Sequence, residues 1–417
     1  MGPLMPAPLV LVDCEDVAWF RDQPEAARGA AAALGRRIGL GEQRTAQLVL
    51  AVAELSGNAT KHAVDGSLLL RVVRAHAAPG QDVLAGVEVI SVDSGPGMAD
   101  IPAALRDGMS TSGTLGIGLG AIQRLADSFT IHSLPGTGTI QLARFWPHPA
   151  APTAHTEPAV EGITRPISGE QSCGDAWAAR TDRAPATATA PQDDEATVRT
   201  PASPTRPSWS ALTSPRSPVV RPDRPARVDA PGVQAYRSGR ATPVRAALPG
   251  RGEGLLVMSC DGLGHGPLAA LAAQNAVQAF RTAAGRTPEQ VMEEVHRSLR
   301  GTRGAAVAIA RLEPDGRVLL CGIGNITAAL VTPTQRTTLM SHPGIVGHQI
   351  RQLRTYENQL APGGVLVMHS DGLSERWSAA DLAGLLHHPP AVIAAALLRQ
   401  AGTRRDDASV VVARAAR

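Results

Sequence analysis

The stretch Leu255-Leu256-Val257-Met258-Ser259-Cys260-Asp261-Gly262-Leu263-Gly264-His265-Gly266 is an apolar run that ends on an Asp-Gly pair. A second stretch, Val365-Leu366-Val367-Met368-His369-Ser370-Asp371-Gly372, has the same form. Such runs read as buried strands, and the Asp-Gly after each reads as the turn at the strand's end. Gly262 and Gly372 let the backbone bend close to a cation, where a carbonyl can also ligate. Asp175, in Cys173-Gly174-Asp175-Ala176-Trp177, and Asp406, in Arg404-Arg405-Asp406-Asp407-Ala408, complete a set of four. One Asp-Gly is an ordinary turn dipeptide. Four acids in these contexts suit a shell of hard oxygen ligands for Mg²⁺ or Mn²⁺. Two such ions about 3.5–4 Å apart lower the pKa of a shared water and clamp both oxygens of an in-line displacement, so no nucleophilic side chain is needed.

From about Ile163 to the C-terminus the chain resembles the SpoIIE-type branch of the metal-dependent (PPM-type) protein phosphatases. The matching stretches are GDAW (174–177), DGLGHG (261–266), GTRGAAVAIA (301–310), GIGNI (322–326), MHSDGL (368–373) and DDASVVVA (406–413). The resemblance implies hydrolysis of phosphoserine or phosphothreonine esters with two Mn²⁺ or Mg²⁺ ions. It implies that Asp261 bridges the ions, helped by the Gly262 carbonyl, and that Asp371 and Asp406 complete one metal shell. Asp175 would serve the other ion, partly through water. Asp407 ranks below Asp406, because the family more often uses the first acid of this pair. His265 has two readings: a general acid to the leaving oxygen, or a residue shaping the start of the helix from Pro267 onward.

The N-terminal part carries a different chemistry. Glu54, Asn58 and His62 fall at i, i+4 and i+8 within 42–63, while Leu48, Val52, Leu55 and Ala59 recur at helical spacing. The apolar set faces a core and the polar set forms a neighbouring stripe able to face a ligand. A β-branched, alternating strand, Val87 to Val92, runs into Asp93-Ser94-Gly95-Pro96-Gly97, and Gly116-Ile117-Gly118-Leu119-Gly120 opens a helix. Glycines at a helix N-terminus expose N–H groups, a natural seat for phosphate. The three boxes together resemble those of the GHKL (Bergerat) ATPases: gyrase-like ATPases, histidine kinases and anti-sigma-factor serine kinases. That resemblance implies ATP with Mg²⁺, held by Asn58 on the metal, Asp93 on the adenine amino group, Gly95 and Gly97 beside the base, and Gly116, Gly118 and Gly120 along the triphosphate. Glu54 would be the base activating the attacking hydroxyl. Lys61 is read as a surface lysine or as a phosphate neighbour. The stretch from Leu115 to Thr139 resembles the small switch kinases of bacterial stress signalling, which phosphorylate STAS-domain proteins.

Bulk properties fit a cytoplasmic regulator. The 417 residues suffice for two or three domains. No apolar stretch reaches membrane-spanning length, and the N-terminus lacks the order of a secretory signal. Cys14, Cys173, Cys260 and Cys321 show no paired spacing, which argues against disulfides or zinc. A net charge of +3 with dispersed arginines does not support nucleic-acid binding, and His387-His388 read as solvated loop residues.

Between Thr181 and Gly250 lie 12 of the 33 prolines, ten arginines and six acids. Such a segment cannot bury enough apolar surface to order itself. It parts Asp175 from the strand leading to Asp261, where the family has a short turn, so it reads as an insertion inside the second domain; closure entropy grows only with the logarithm of loop length.

The expected fold class is α/β in two domains. A GHKL α/β sandwich over 8–146, a mixed sheet with helices on one face, is joined by a linker at 147–158 to a PPM-type β-sandwich flanked by helices over 160–417. The expected function is dephosphorylation of a phosphorylated STAS-type partner, an anti-anti-sigma or stressosome-like protein, with a sigma factor or a downstream phosphatase as further partner classes. The alternative is a regulator that binds an anti-sigma or STAS partner, with ATP binding as its main activity.

Overall fold

The computed structural model describes residues 12–21, 24–75, 84–106, 118–147, 157–182, 243–244, 254–350 and 352–415. Its N-terminal half comprises β1 (Val12–Phe20), α1 (Ala27–Arg37), α2 (Glu42–His62), β2 (Ser67–Ala75), β3 (Leu84–Val92), α3 (Ile101–Ala104), α4 (Gly118–Leu125), β4 (Ser128–Leu134) and β5 (Gly138–Phe145). The strands form one sheet in the order β1-β2-β3-β5-β4. Every pairing in it is antiparallel, not mixed as the sequence suggested. The reason is topological: β5 returns from the β4 hairpin into the slot beside β3, so the co-directional strands β3 and β4 never pair.

The C-terminal half comprises β6 (Val160–Arg165), β7 (Asp175–Asp182), β8 (Pro243–Val244), β9 (Gly254–Gly262), α5 (Pro267–Thr282), α6 (Pro288–Ser298), β10 (Ala305–Leu312), β11 (Arg317–Ile323), β12 (Thr327–Val331), β13 (Arg336–Thr338), β14 (Thr355–Gln359), β15 (Val365–His369), α7 (Pro390–Ala401) and β16 (Ala408–Ala413). Two sheets result, β7-β9-β10-β11-β14-β8 and β13-β12-β15-β16-β6. β7 pairs antiparallel with β9, Asp175 facing Asp261 across the pair. Strand β7 runs through Thr181 and Asp182, two residues past the point where the composition shifts; residues 183–242 and 245–253 lie outside the described set. Asp182 has a structural reason to be ordered, since it pairs with the buried Arg311 and, at 2.9 Å, with Arg286.

Side-chain alternation stacks these pieces into layers. Leu68, Leu70 and Val72 of β2 face α1 and α2, joining Leu34, Leu48 and Val52 in one core. Leu69, with Ile90, Val92, Ile140 and Leu142, points the other way into a core shared with α7 and with Val365, Val367, Val410 and Val412 of the second sheet. The intervening Leu366, Met368 and Val411 face the first sheet at Val257, Ala308 and Leu320, whose far side is covered by α5 and α6. The N-terminal sheet is thus buried on both faces: helices of its own half cover one, and α7 covers the other. Where the sequence suggested two domains on a short linker, the halves share a continuous core.

Polar groups cross the same seam. Arg71 on β2, fully buried, donates to Glu88 (2.5 Å), to Glu161 on β6 (3.2 Å) and to the Gly162 carbonyl (2.7 Å). Arg144 on β5 pairs with Glu88 and, at 2.5 Å, with Glu161. The second Glu161 oxygen accepts from Ala391 N at the start of α7 (3.2 Å), and Trp19 Nε1 donates to Thr164 O (2.9 Å). Removing one partner from a buried ionic network leaves an uncompensated charge, at a cost of roughly 3–5 kcal/mol. Arg71→Ala should therefore lower the urea midpoint far more than Arg74→Ala, whose exposed pair with Glu15 is worth about 1 kcal/mol or less. Equal, small shifts for the two variants would contradict this picture of the seam.

Candidate functional site

Strand ends of both C-terminal sheets deliver the four aspartates to one edge of the sandwich. Asp175 opens β7 and Asp261 nearly closes β9, and the two are register partners. On the other sheet, Asp371 lies two residues past β15 and Asp406 two before β16, the neighbouring strand. The Ser370 amide donates to Ser409 O (3.2 Å), and this keeps the two acidic loops side by side.

The electrostatics report the convergence. Burial pushes the Asp261 carboxyl up to about 8, aided by repulsion from Asp175, Asp371 and Asp406. Burial likewise pushes Asp175 up to about 7, with Asp407 and Asp371 adding to it and the hydroxyls of Ser370 and Ser409 opposing it. Asp371 is raised by burial and by Asp406, while Asn325 Nδ2, donating to its Oδ2 at 2.5 Å, acts the other way. Asp175 Oδ2 is buried with no hydrogen-bond partner. Among the described residues no group of three or more Asp, Glu, His or Cys side chains is drawn in tightly enough to hold a metal ion. The donor set itself suits hard cations: acceptor-only oxygens, one of them orphaned, whose mutual repulsion positive charge would relieve.

Asp406 and Asp407 divide their roles. The Asp407 carboxylate is buried and accepts from Ile167 N (2.7 Å) and Gly174 N (2.8 Å), stapling the start of β16 to the loop ahead of β7. Asp406 is half-buried and faces the cluster. At Gly262 a Cβ would stand 2.4 Å from the Ala269 carbonyl, so only glycine lets α5 seat this close to the ligand strand. His265 is exposed and approaches Glu170 at 3.5 Å, just ahead of α5.

In the N-terminal half, α2 carries Glu54 and Asn58 one turn apart. Glu54 Oε2 accepts from Gly118 N (3.3 Å) at the start of α4, which also carries Gly120, so the first and third boxes meet. Gly116 lies outside the described residues. Asp93 Oδ1 accepts from Gly95 N (2.8 Å) and Thr139 N (3.3 Å). Burial raises this carboxyl above the usual range, and those two amides and Arg399 offset part of the rise. Gly97, at φ +69°, lies so near Leu134 that a Cβ would fall 2.0 Å from its carbonyl oxygen.

Sequence reading missed several participants. Asn325 sits in the quoted GIGNI stretch without having been assigned a role. Ser370 and Ser409 each adjoin a recognised motif position. Arg303, exposed, brings its guanidinium within 3.0 Å of where a Cβ on Gly264 would stand. His388 is not a solvated loop residue: it packs edge-on against His132 (ring centroids 5.0 Å apart), and burial pulls it down to about 4. Among the described residues no disulfide joins Cys14, Cys173, Cys260 or Cys321. Among the described residues no helix is long and apolar enough to cross a membrane.

Residues 21–144 match the histidine kinase-like ATPase domain and residues 251–416 match stage II sporulation protein E (SpoIIE). The serine/threonine-protein kinase RsbT of Bacillus subtilis is 36% identical over 121 residues, covering 29% of this chain and 86% of the relative. Solved structures with some likeness include RsbX in complex with magnesium (16% identity, 61% of this chain and 92% of that one, TM-score 0.38). Another is the PP2C phosphatase domain of Bacillus subtilis SpoIIE with a fragment of its regulatory domain (11%, 79% of each chain, TM-score 0.38). The chain joins an RsbT-like, histidine kinase-like ATPase domain to a SpoIIE serine/threonine phosphatase domain.

Proposed function

We propose that the C-terminal domain hydrolyses phosphoserine or phosphothreonine on a STAS-type signalling protein with two Mn²⁺ or Mg²⁺ ions, and that the N-terminal domain binds ATP with Mg²⁺ and phosphorylates a partner of the same class. The observation that carries the first half is the convergence of Asp175, Asp261, Asp371 and Asp406 from strand ends of two sheets, with Asp261 and Asp175 pushed up to about 8 and 7 by burial and by the charge of neighbouring aspartates. The second half draws support from the Glu54–Gly118 contact and from the likeness to RsbT, by name a serine/threonine kinase.

Divalent cations held here would activate a water and screen the phosphate's charge. Asp261 would serve as the shared ligand together with the Gly262 carbonyl; Asp371 and Asp406 would serve one ion and Asp175 the other. Asn325 fixes the Asp371 carboxylate through its 2.5 Å hydrogen bond. Arg303 offers a planar donor fork to the incoming phosphate dianion. His265 stands exposed at the head of α5, where it would serve as general acid to the leaving serine oxygen. In the N-terminal domain Asp93 would accept from the adenine amino group, Asn58 would hold Mg²⁺, and Gly118 and Gly120 would present amides to the phosphates. Glu54 would take the proton of the attacking hydroxyl.

Purified protein should release phosphate from p-nitrophenyl phosphate only with Mn²⁺ or Mg²⁺ present, and Asp371→Ala should return that release to background; release that survives the change would sink the phosphatase assignment. Asn325→Ala should lower it by about 10- to 100-fold, the usual effect of losing a group that orients a ligand. Asp406→Ala should lose activity and keep its fold. By contrast, Asp407→Ala should cost roughly 2 kcal/mol or more of stability, since it strands two backbone donors; matching phenotypes for the two would contradict the division of roles. With a STAS protein and labelled ATP, Glu54→Ala should bind the partner and transfer no label.

A further inference from the structure

Helix α7 belongs to the phosphatase domain, yet its contacts join both sites. Near its C-terminal end Arg399, half-buried, donates from Nη1 to the backbone carbonyl of Asp93 (3.1 Å). The same carbonyl accepts from Thr139 N (3.2 Å), so the aspartate proposed to read adenine is gripped on one side by its own β5 and on the other by a helix of the second domain. His132 also stands close enough to feel the Arg399 charge.

Two residues past Arg399 the helix is tied to the acidic loops. The Ala401 carbonyl accepts from Ser374 N (2.8 Å), and Thr403 N donates to Gly372 O (2.7 Å). Gly372 directly follows Asp371, and Asp406 comes four residues after Gly402. Arg165 of β6 holds the Thr403 carbonyl from the other side. At its opposite end α7 receives the Glu161 carboxylate on Ala391 N, inside the buried network with Arg71 and Arg144. A 12-residue helix about 18 Å long, fixed at both ends and packed between two sheets, shifts as a body; it has little freedom to bend in the middle.

We propose that Arg399 is a positioning residue for the nucleotide box, and that through it α7 couples ATP binding in the N-terminal domain to cation binding by the carboxylate cluster, each strengthening the other. The inference rests on the nucleotide and metal assignments made above. Adenine held by Asp93 fixes the Asp93 carbonyl, the carbonyl seats Arg399, and the seated helix holds the loops of Asp371 and Asp406 at one spacing. Linkage requires the effect to run equally in reverse.

A double-mutant cycle on the full chain tests it, read as the dissociation constant of a fluorescent ATP analogue in a fixed excess of Mg²⁺, so that chelation by the nucleotide is constant. Asp371→Asn, remote from the nucleotide, should weaken binding about 5-fold or more, within the usual range of coupling between sites. Arg399→Ala should weaken it at least as much, and the double variant no further than Arg399→Ala alone. Arg399→Lys, which keeps the charge and a donor, should recover part of the loss, a recovery that mere damage to the fold would not give. Nucleotide binding that ignores Asp371→Asn, or penalties that simply add, would overturn the coupling and leave the assignments standing. Wild-type protein that binds no nucleotide would overturn both.

Discussion

Four carboxylates brought to one edge of two stacked sheets are the constraint around which the C-terminal half is built. Left alone they repel, and burial magnifies the effect: Asp261 and Asp175 hold their protons to about 8 and 7. Structures keep such like-charge clusters where a bound cation or a proton-transfer task repays the strain. The surroundings resist the repulsion by ordinary means. Asp407 staples β16 to the loop ahead of β7, Asn325 anchors Asp371, and Gly262 admits α5 to close contact.

A second set of buried charges does different work. Arg71, Arg144, Glu88 and Glu161 satisfy one another at the seam between the domains. Buried ion pairs add little net stability compared with apolar residues of the same size, and their best-attested use is to fix one registry among several. Here the registry is that of the N-terminal sheet on α7 and β6. An apolar seam could slide. This one holds Arg399 opposite the Asp93 carbonyl.

Much of this was legible in the sequence. The apolar runs before Asp261 and Asp371 are strands, and the turn read after the second is present, whereas Asp261-Gly262 still belongs to β9; the helix read from Pro267 onward is α5. The 3.6-residue pattern of Leu48, Val52 and Leu55 gave α2 its buried face. The interdomain seam went unread, although β2 carried the signal: Ser67-Leu68-Leu69-Leu70-Arg71-Val72-Val73-Arg74-Ala75 is apolar on both faces, the mark of a strand covered twice. Periodicity says that a face is covered, not by what, and α7 lies more than 300 residues away. The antiparallel sheet, the structural role of Asp407 and the burial of His388 were hidden for the same reason: each is set by a neighbour remote in sequence. Asp182 was assigned to the insertion because composition blurs over a window, whereas its pairing with Arg311 is a matter of one residue.

The account turns on whether the carboxylates form a cation site, and titration calorimetry of the nucleotide-free protein with Mn²⁺ asks this most directly. Saturable binding of two ions that Asp261→Asn abolishes, with the variant still folded, is the predicted result. Absence of saturable binding, or binding indifferent to that substitution, would contradict it.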